Sequence, residues 1–199
     1  MSTRIYFARH GKYKNPDGVI PYRLPGFPLA EDGKRQAKEI VEKLKEQDII
    51  KVFCSPILRC HQTAEIIANG LGISVEQKEE LSETRTPLQG KTKKEMETLS
   101  PNYPFDIPEH SIGGGETPEE MYNRVHNLVQ KTISEYKNKT ILLVSHGDPI
   151  FIFLSTRLLG SVPHTHQDFD NKKLRYIPMG GLVELTFTDS GEVVYRELI

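Results

Sequence analysis

Thr140-Ile141-Leu142-Leu143-Val144-Ser145-His146-Gly147 (TILLVSHG) decides the fold. Six residues, almost all apolar and β-rich, run into a polar stop, as expected of a strand buried on both faces in the middle of a parallel sheet. Asp148-Pro149 follows and reads as the cap of a buried helix through Leu159. Upstream, Thr117-Pro118-Glu119-Glu120 has the form of a capping box. Met121, Val125, Leu128, Val129, Ile133 and Tyr136 then mark one face of a long amphipathic helix.

The N-terminal half repeats the alternation. Arg4 to Ala8 reads as a buried strand, and Ala37, Ile40, Val41 and Leu44 keep the spacing of a helix face. Lys51 to Cys54 reads as a second strand. Ser55-Pro56 reads as an N-cap with proline at the first helical position, and Ala64, Ile67, Ala68 and Leu71 form the inner face of the helix. Ile73 to Gln77 alternates as a short strand. Leu182 to Thr188 and Glu192 to Leu198 alternate around Asp189-Ser190-Gly191, as in a hairpin at a sheet edge. Two stretches lack such order: residues 12–28, rich in Pro, Gly, Tyr and Lys, and residues 84–116, with a short helix near Lys93 to Leu99.

Strands alternating with helices imply an α/β fold, a three-layer α/β/α sandwich with a mostly parallel central sheet. At 199 residues the chain suits a single domain spanning 1–199, with 84–116 as a lid or insertion over the site. The 26 Lys and Arg balance 27 Asp and Glu, so nothing in the charge points to nucleic acid. The longest apolar run, Pro149 to Leu154, is too short to span a membrane, and Met1 to Ala8 lacks the features of a signal peptide. Cys54 and Cys60 do not form a disulfide framework, which suits a cytoplasmic protein. Monomer and homodimer both stay open.

In parallel sheets ligands bind where strands end and helices begin. Three such ends are dense in reactive residues: Arg9-His10-Gly11, Ser55 to Arg59, and Ser145-His146-Gly147. A phosphate dianion calls for guanidinium forks, imidazole N–H donors and helix-terminal amides. Gly11 and Gly147 would let the backbone approach an anion closely.

Arg9-His10-Gly11 after a first strand resembles the RHG motif of the histidine phosphatase superfamily, which is phosphoglycerate mutase-like. The resemblance continues through Pro28-Leu29, Gly33, Gln36-Ala37, Ser55 to Arg59, Gln62-Thr63-Ala64, Leu81 to Glu83, Gly115-Glu116 and Ser145-His146-Gly147. It implies that His10 is the phosphorylated nucleophile, and that Arg9, Arg59 and His146 bind the phosphoryl oxygens. It also implies that Glu83 is the general acid and base. No metal and no cofactor are implied. The substrate would be a small phosphorylated metabolite, hydrolysed through phosphohistidine. Alternatives are a phosphoglycerate mutase-type phosphotransferase and a phosphoprotein (phosphohistidine) phosphatase. The long Arg-rich insertion of the glycolytic mutases is not apparent between Gly90 and Gly115, which favours a hydrolase. Lys12, Pro16 and Gln89-Gly90 depart from the family pattern. Lys12, Asn15, Tyr22, Arg23 and Arg85 are candidate substrate contacts. His164-Thr165-His166 with Asp168 and Asp170 reads as a polar surface loop rather than a metal site.

Overall fold

Strand β1 (Ser2–Arg9) sends Ile5 and Phe7 into one apolar layer and Tyr6 and Ala8 into the other, as the two-residue period of a strand requires. The computed structural model describes residues 2–99, 115–163, 174–188 and 193–199. Five further strands complete the sheet: β2 (Ile49–Cys54), β3 (Val75–Gln77), β4 (Thr140–Ser145), β5 (Leu182–Thr188) and β6 (Val193–Glu197). Their order is β3-β2-β4-β1-β5-β6. Neighbours from β3 to β1 run parallel, whereas β5 is antiparallel to β1 and β6 to β5.

Helices α1 (Glu31–Leu44) and α2 (Leu58–Leu71) cover one face. They place Ala37, Ile40, Leu44, Ala64, Ile67 and Ala68 against Val52, Leu142 and Val144. The short α3 (Lys93–Leu99) lies in the irregular stretch. Helices α4 (Pro118–Glu135) and α5 (Gly147–Leu159) cover the other face with Val125, Leu128, Val129, Phe151 and Phe153. Every residue of β4 is buried, as its uninterrupted apolar sequence demands. The α4 capping box is complete: Thr117 Oγ1 accepts from the Glu120 N–H at 3.0 Å, and Glu120 Oε2 from the Thr117 N–H at 2.9 Å. Among the described residues no helix is long and apolar enough to cross a membrane.

Two helix starts differ from the sequence expectation. Ser55-Pro56 does not open α2, whose N-cap is Ile57. The Ser55 hydroxyl instead bonds the Ile57 N–H at 3.2 Å and the His146 ring at 2.9 Å, so the chain stays extended past Pro56. Nor do Asp148 and Pro149 cap α5. His146, extended at φ −113° and ψ 173°, is its N-cap, and Asp148 falls inside the first turn. The edge strands are shorter than the alternation suggested: β3 keeps only the three residues that pair with Val52 to Cys54, and β6 those that face β5.

The two irregular stretches meet. The Ile20 N–H bonds the Lys91 carbonyl, the Gly90 N–H bonds the Ile20 carbonyl, and Val19 bridges to Thr92. Tyr22 and Leu88 bury against each other with Ile20 alongside.

Candidate active site

β1 and β4 are parallel neighbours with Arg9 opposite Ser145, so the residues that follow them emerge side by side. His10 and His146 are 1% and 0% exposed, with ring centroids 5.2 Å apart. On the far side of β4, β2 leads into α2, whose second residue is Arg59, 1% exposed. Its guanidinium spans the two imidazoles. Nε donates to His10 Nε2 at 3.2 Å, and Nη2 reaches His146 Nδ1 at 3.0 Å and the Tyr22 carbonyl at 2.8 Å. Its Nη1 is buried without a hydrogen-bond partner among the described residues, and so is Arg9 Nε. Arg9 Nη1 donates to the Ile177 carbonyl at 2.8 Å, and its guanidinium lies 5.1 Å from the centre of the Tyr176 ring.

These partners fix both tautomers. His10 Nδ1 lies 2.9 Å from the Gly11 carbonyl, which can only accept, so Nδ1 carries the proton and Nε2 the lone pair. A guanidinium can only donate, so His146 accepts at Nδ1 and donates from Nε2 to Ser55 Oγ. Burial first, then the Arg59 charge, holds both histidines well below the ordinary imidazole pKa. His10 therefore presents a neutral nitrogen nucleophile near pH 7.

Glu83 enters from a different element. The turn Glu79–Leu81 anchors through buried Leu81, whose carbonyl accepts from the Ser145 hydroxyl at 2.7 Å. Glu79 stays exposed and Glu80 half-buried, while Glu83 turns inward. Its Oε2 lies 3.6 Å from His146 Nδ1 and 4.0 Å from Arg59 Nη2. Burial, and then the charge of Asp148, push its pKa up to about 7, with Arg59 opposing. The acidic turn thus splits, and one carboxyl alone joins the imidazoles. Arg23 Nε bonds the Glu83 carbonyl, and Arg124 Nη1 bonds that of Glu80. Both arginines converge on buried Glu116, Arg124 at 2.6 Å and Arg23 at 3.2 Å.

The structure brings His10, His146, Arg9, Arg59 and Glu83 together; the candidate substrate contacts fare differently. Lys12 is exposed, its Nζ pairing with Asp32 at 3.3 Å. Arg23 braces Glu83 and Glu116 instead of facing the histidines, because a buried carboxylate requires a cation. Tyr22 offers its carbonyl to Arg59 and buries its ring against Leu88. Asn15 Nδ2 is held by the Val19 carbonyl at 2.7 Å, leaving Oδ1 buried without a partner. Arg85 is exposed, its N–H on Glu116.

The two glycines answer to packing rather than to an anion. A Cβ on Gly11 would sit 2.5 Å from the Gly33 carbonyl, where the loop crosses the start of α1. A Cβ on Gly147 would overlap the Tyr176 hydroxyl. Sequence reading missed Tyr13, Thr84, Asp148 and Tyr176, which no motif spacing singles out. Tyr13 lies 5.5 Å from the His10 ring and 5.3 Å from the Arg59 guanidinium. The segment with His164, His166, Asp168 and Asp170 lies outside the described residues, as does Gly113-Gly114. Among the described residues no group of three or more His, Cys, Asp or Glu could hold a metal ion.

Residues 5–196 match the histidine phosphatase superfamily (branch 1), and the chain belongs to that family. The "Uncharacterized phosphatase PhoE" of Bacillus subtilis is 29% identical over 170 residues, which cover 81% of this chain and 80% of that one. An uncharacterised Mycobacterium tuberculosis protein is 36% identical over 89 residues, 45% of this chain, and the match spans only 44% of that relative's length. The solved structure of Bacillus stearothermophilus YhfR shares the fold at a TM-score of 0.82 and 24% identity, covering 98% of this chain and 96% of that one.

Proposed function

We propose that this chain hydrolyses a small-metabolite phosphomonoester through a phosphohistidine formed on His10. The carrying observation is Arg59: a fully buried guanidinium between two neutral imidazoles, with one nitrogen left unsatisfied. A buried donor without a partner is costly, and a phosphoryl oxygen is the acceptor that guanidinium geometry suits best. Arg9 supplies a second such nitrogen.

In the first half-reaction His10 Nε2 forms the P–N bond as the ester P–O bond breaks, and the proton of Glu83 moves to the leaving oxygen. The positive charge on the phosphorylated ring rests on the hydrogen bond from Nδ1 to the Gly11 carbonyl. In the second, Glu83 takes a proton from water as the water oxygen bonds phosphorus. The P–N electron pair returns to Nε2. Arg59 and Arg9 stabilise the charge on the oxygens throughout, and His146, which accepts from Arg59 at Nδ1, orients that guanidinium. Of the stretch 84–116, the described residues 84–99 would lie over the site, a reading supported by the seating of Leu88 on Tyr22 and of Thr92 on Val19; residues 100–114 lie outside the described residues. Two free, buried cysteines suit a reducing, cytoplasmic setting.

Phosphate release from an aryl phosphate in EDTA, compared between wild type and His10→Ala, tests this reading. Release that survives EDTA and falls at least about 10⁴-fold in the variant is the expected result. Release that His10→Ala retains would overturn it.

A further inference from the structure

One half-buried carboxylate stands behind the acid with no part in the chemistry so far. Asp148 sits in the first turn of α5, two residues after His146. Its Oδ1 accepts from the Tyr176 hydroxyl at 2.6 Å and its Oδ2 from Thr84 Oγ1 at 3.2 Å. Thr84 also holds the acid. Its N–H donates to Glu83 Oε1 at 3.0 Å, and its hydroxyl lies 3.5 Å from the same atom.

The two oxygens of Glu83 are therefore inequivalent. Oε1 faces Thr84 and Asp148, while Oε2 faces Arg59 and His146. Because Oε1 already accepts an N–H, a proton on this carboxyl belongs on Oε2, the oxygen on the side of the leaving group. Burial favours that proton, while the cations around it oppose it. Arg59 from α2, Arg9 from β1 and Arg23 from the 12–28 loop all favour the charged form, whereas His146, Tyr13 and Tyr176 are neutral. Asp148 is the carboxylate that acts on Glu83 from behind.

We propose that Asp148 is a positioning residue that keeps Glu83 in its acid form and makes it a stronger base once the proton has gone, with Thr84 and Tyr176 holding the carboxylate in place. A like charge beside a carboxyl disfavours a second negative charge, the effect wanted both in an acid that donates to a leaving oxygen and in the base that then deprotonates water. The same arrangement explains Gly147. Any side chain there would displace the Tyr176 hydroxyl from its seat on Asp148. Tyr176 in turn lies under Arg9, so one ring ties a phosphate-binding arginine to the carboxylate that sets the acid. The proposal rests on Glu83 being the general acid.

The test is a pH–rate profile on an alkyl phosphate, which needs leaving-group protonation, alongside an aryl phosphate, which does not. In Asp148→Asn the alkaline limb of the alkyl profile should move to lower pH by about one unit, a single nearby charge being worth one to three. The rate above that limb should fall about tenfold, with KM and the first-turnover burst from the aryl ester little changed. Asp148→Glu keeps the charge and should hold the limb near its wild-type position. Tyr176→Phe, a substitution at a partly exposed ring, should move it in the same direction by less. A limb that stays put in both Asp148→Asn and Tyr176→Phe, or moves equally in Asp148→Asn and Asp148→Glu, would sink the proposal. Should Glu83→Gln keep alkyl turnover while Asp148→Asn loses it, Glu83 is not the acid and Asp148 is; should Glu83→Gln lose it while Asp148→Asn behaves as wild type, only the role of Asp148 fails.

Discussion

The proposed nucleophile and the proposed acid reach the same crevice by different kinds of support. His10 extends a strand held by backbone ladders on both sides, its N–H on the Ser145 carbonyl at 3.0 Å and its carbonyl accepting from Gly180. Glu83 extends a single turn, and its loop is fixed by side chains: Arg23 and Arg124 on carbonyl oxygens, both anchored by Glu116. Ladder geometry is nearly independent of side-chain identity, whereas an ion-pair bracket depends on every member. The histidine side should therefore tolerate changes around it, and the acid side should not.

The sharpest break of that contrast lies between the two halves. Arg59→Lys keeps the charge but loses the fork that spans His10 and His146. We expect kcat to fall by about 10²–10³ for alkyl and aryl phosphates alike. A fall confined to alkyl esters would assign Arg59 to the acid side.

Glu83→Gln should slow the first turnover of an alkyl phosphate by about 10²–10³ while nearly sparing the first-turnover burst from an aryl ester, whose steady-state rate falls with the loss of the base, and in the wild type the alkyl rate should drop as pH rises through about 7. Stability should follow pH in the same direction. With its pKa raised in the folded state, Glu83 keeps a proton that the unfolded chain has already released, so stability is lost as pH climbs from the ordinary carboxyl range through about 7. The loss is on the order of 3 kcal/mol. Denaturant titrations at pH 5 and pH 8 should show a smaller loss in Glu83→Gln than in wild type. An equal loss would remove Glu83 as its source.

Glu116→Ala probes the bracket alone. Two half-buried cations lose their partner, and unfolding free energy should drop by about 2 kcal/mol. The alkyl rate should suffer more than the aryl rate because Glu83 loosens. If both rates fall together, the bracket holds the whole site rather than its acid half. Lys12→Ala, directly beside Gly11 yet exposed and paired only with Asp32, should change stability by less than about 0.5 kcal/mol. An effect on KM would restore Lys12 as a substrate contact.

The histidine half was legible in sequence for the reason that makes it robust. RIYFARH and TILLVSH each place a histidine at the end of an apolar strand, and two such strands in a parallel sheet bring their ends together. Arg59 was legible through its place at the start of the next helix. The assignments made from composition near the site were less faithful. Arg23, Tyr22 and Lys12 look like substrate contacts in the sequence, yet in the fold one braces Glu83, one buries its ring on Leu88 and one pairs with Asp32. Gly11 and Gly147 suggested room for an anion, but their space is filled by Gly33 and Tyr176.

By itself the sequence determined the α/β alternation and the covering of both sheet faces, which follow from periodicity, and it put His10, His146 and Arg59 close in the chain to strand ends. The role of nucleophile proposed for His10 came from the family resemblance. Only the tertiary structure decided which of Glu79, Glu80 and Glu83 turns inward, and that Asp148, Thr84 and Tyr176 stand behind it. Those contacts join residues 28 to 64 positions apart, on loops and helix ends whose approach no local pattern encodes.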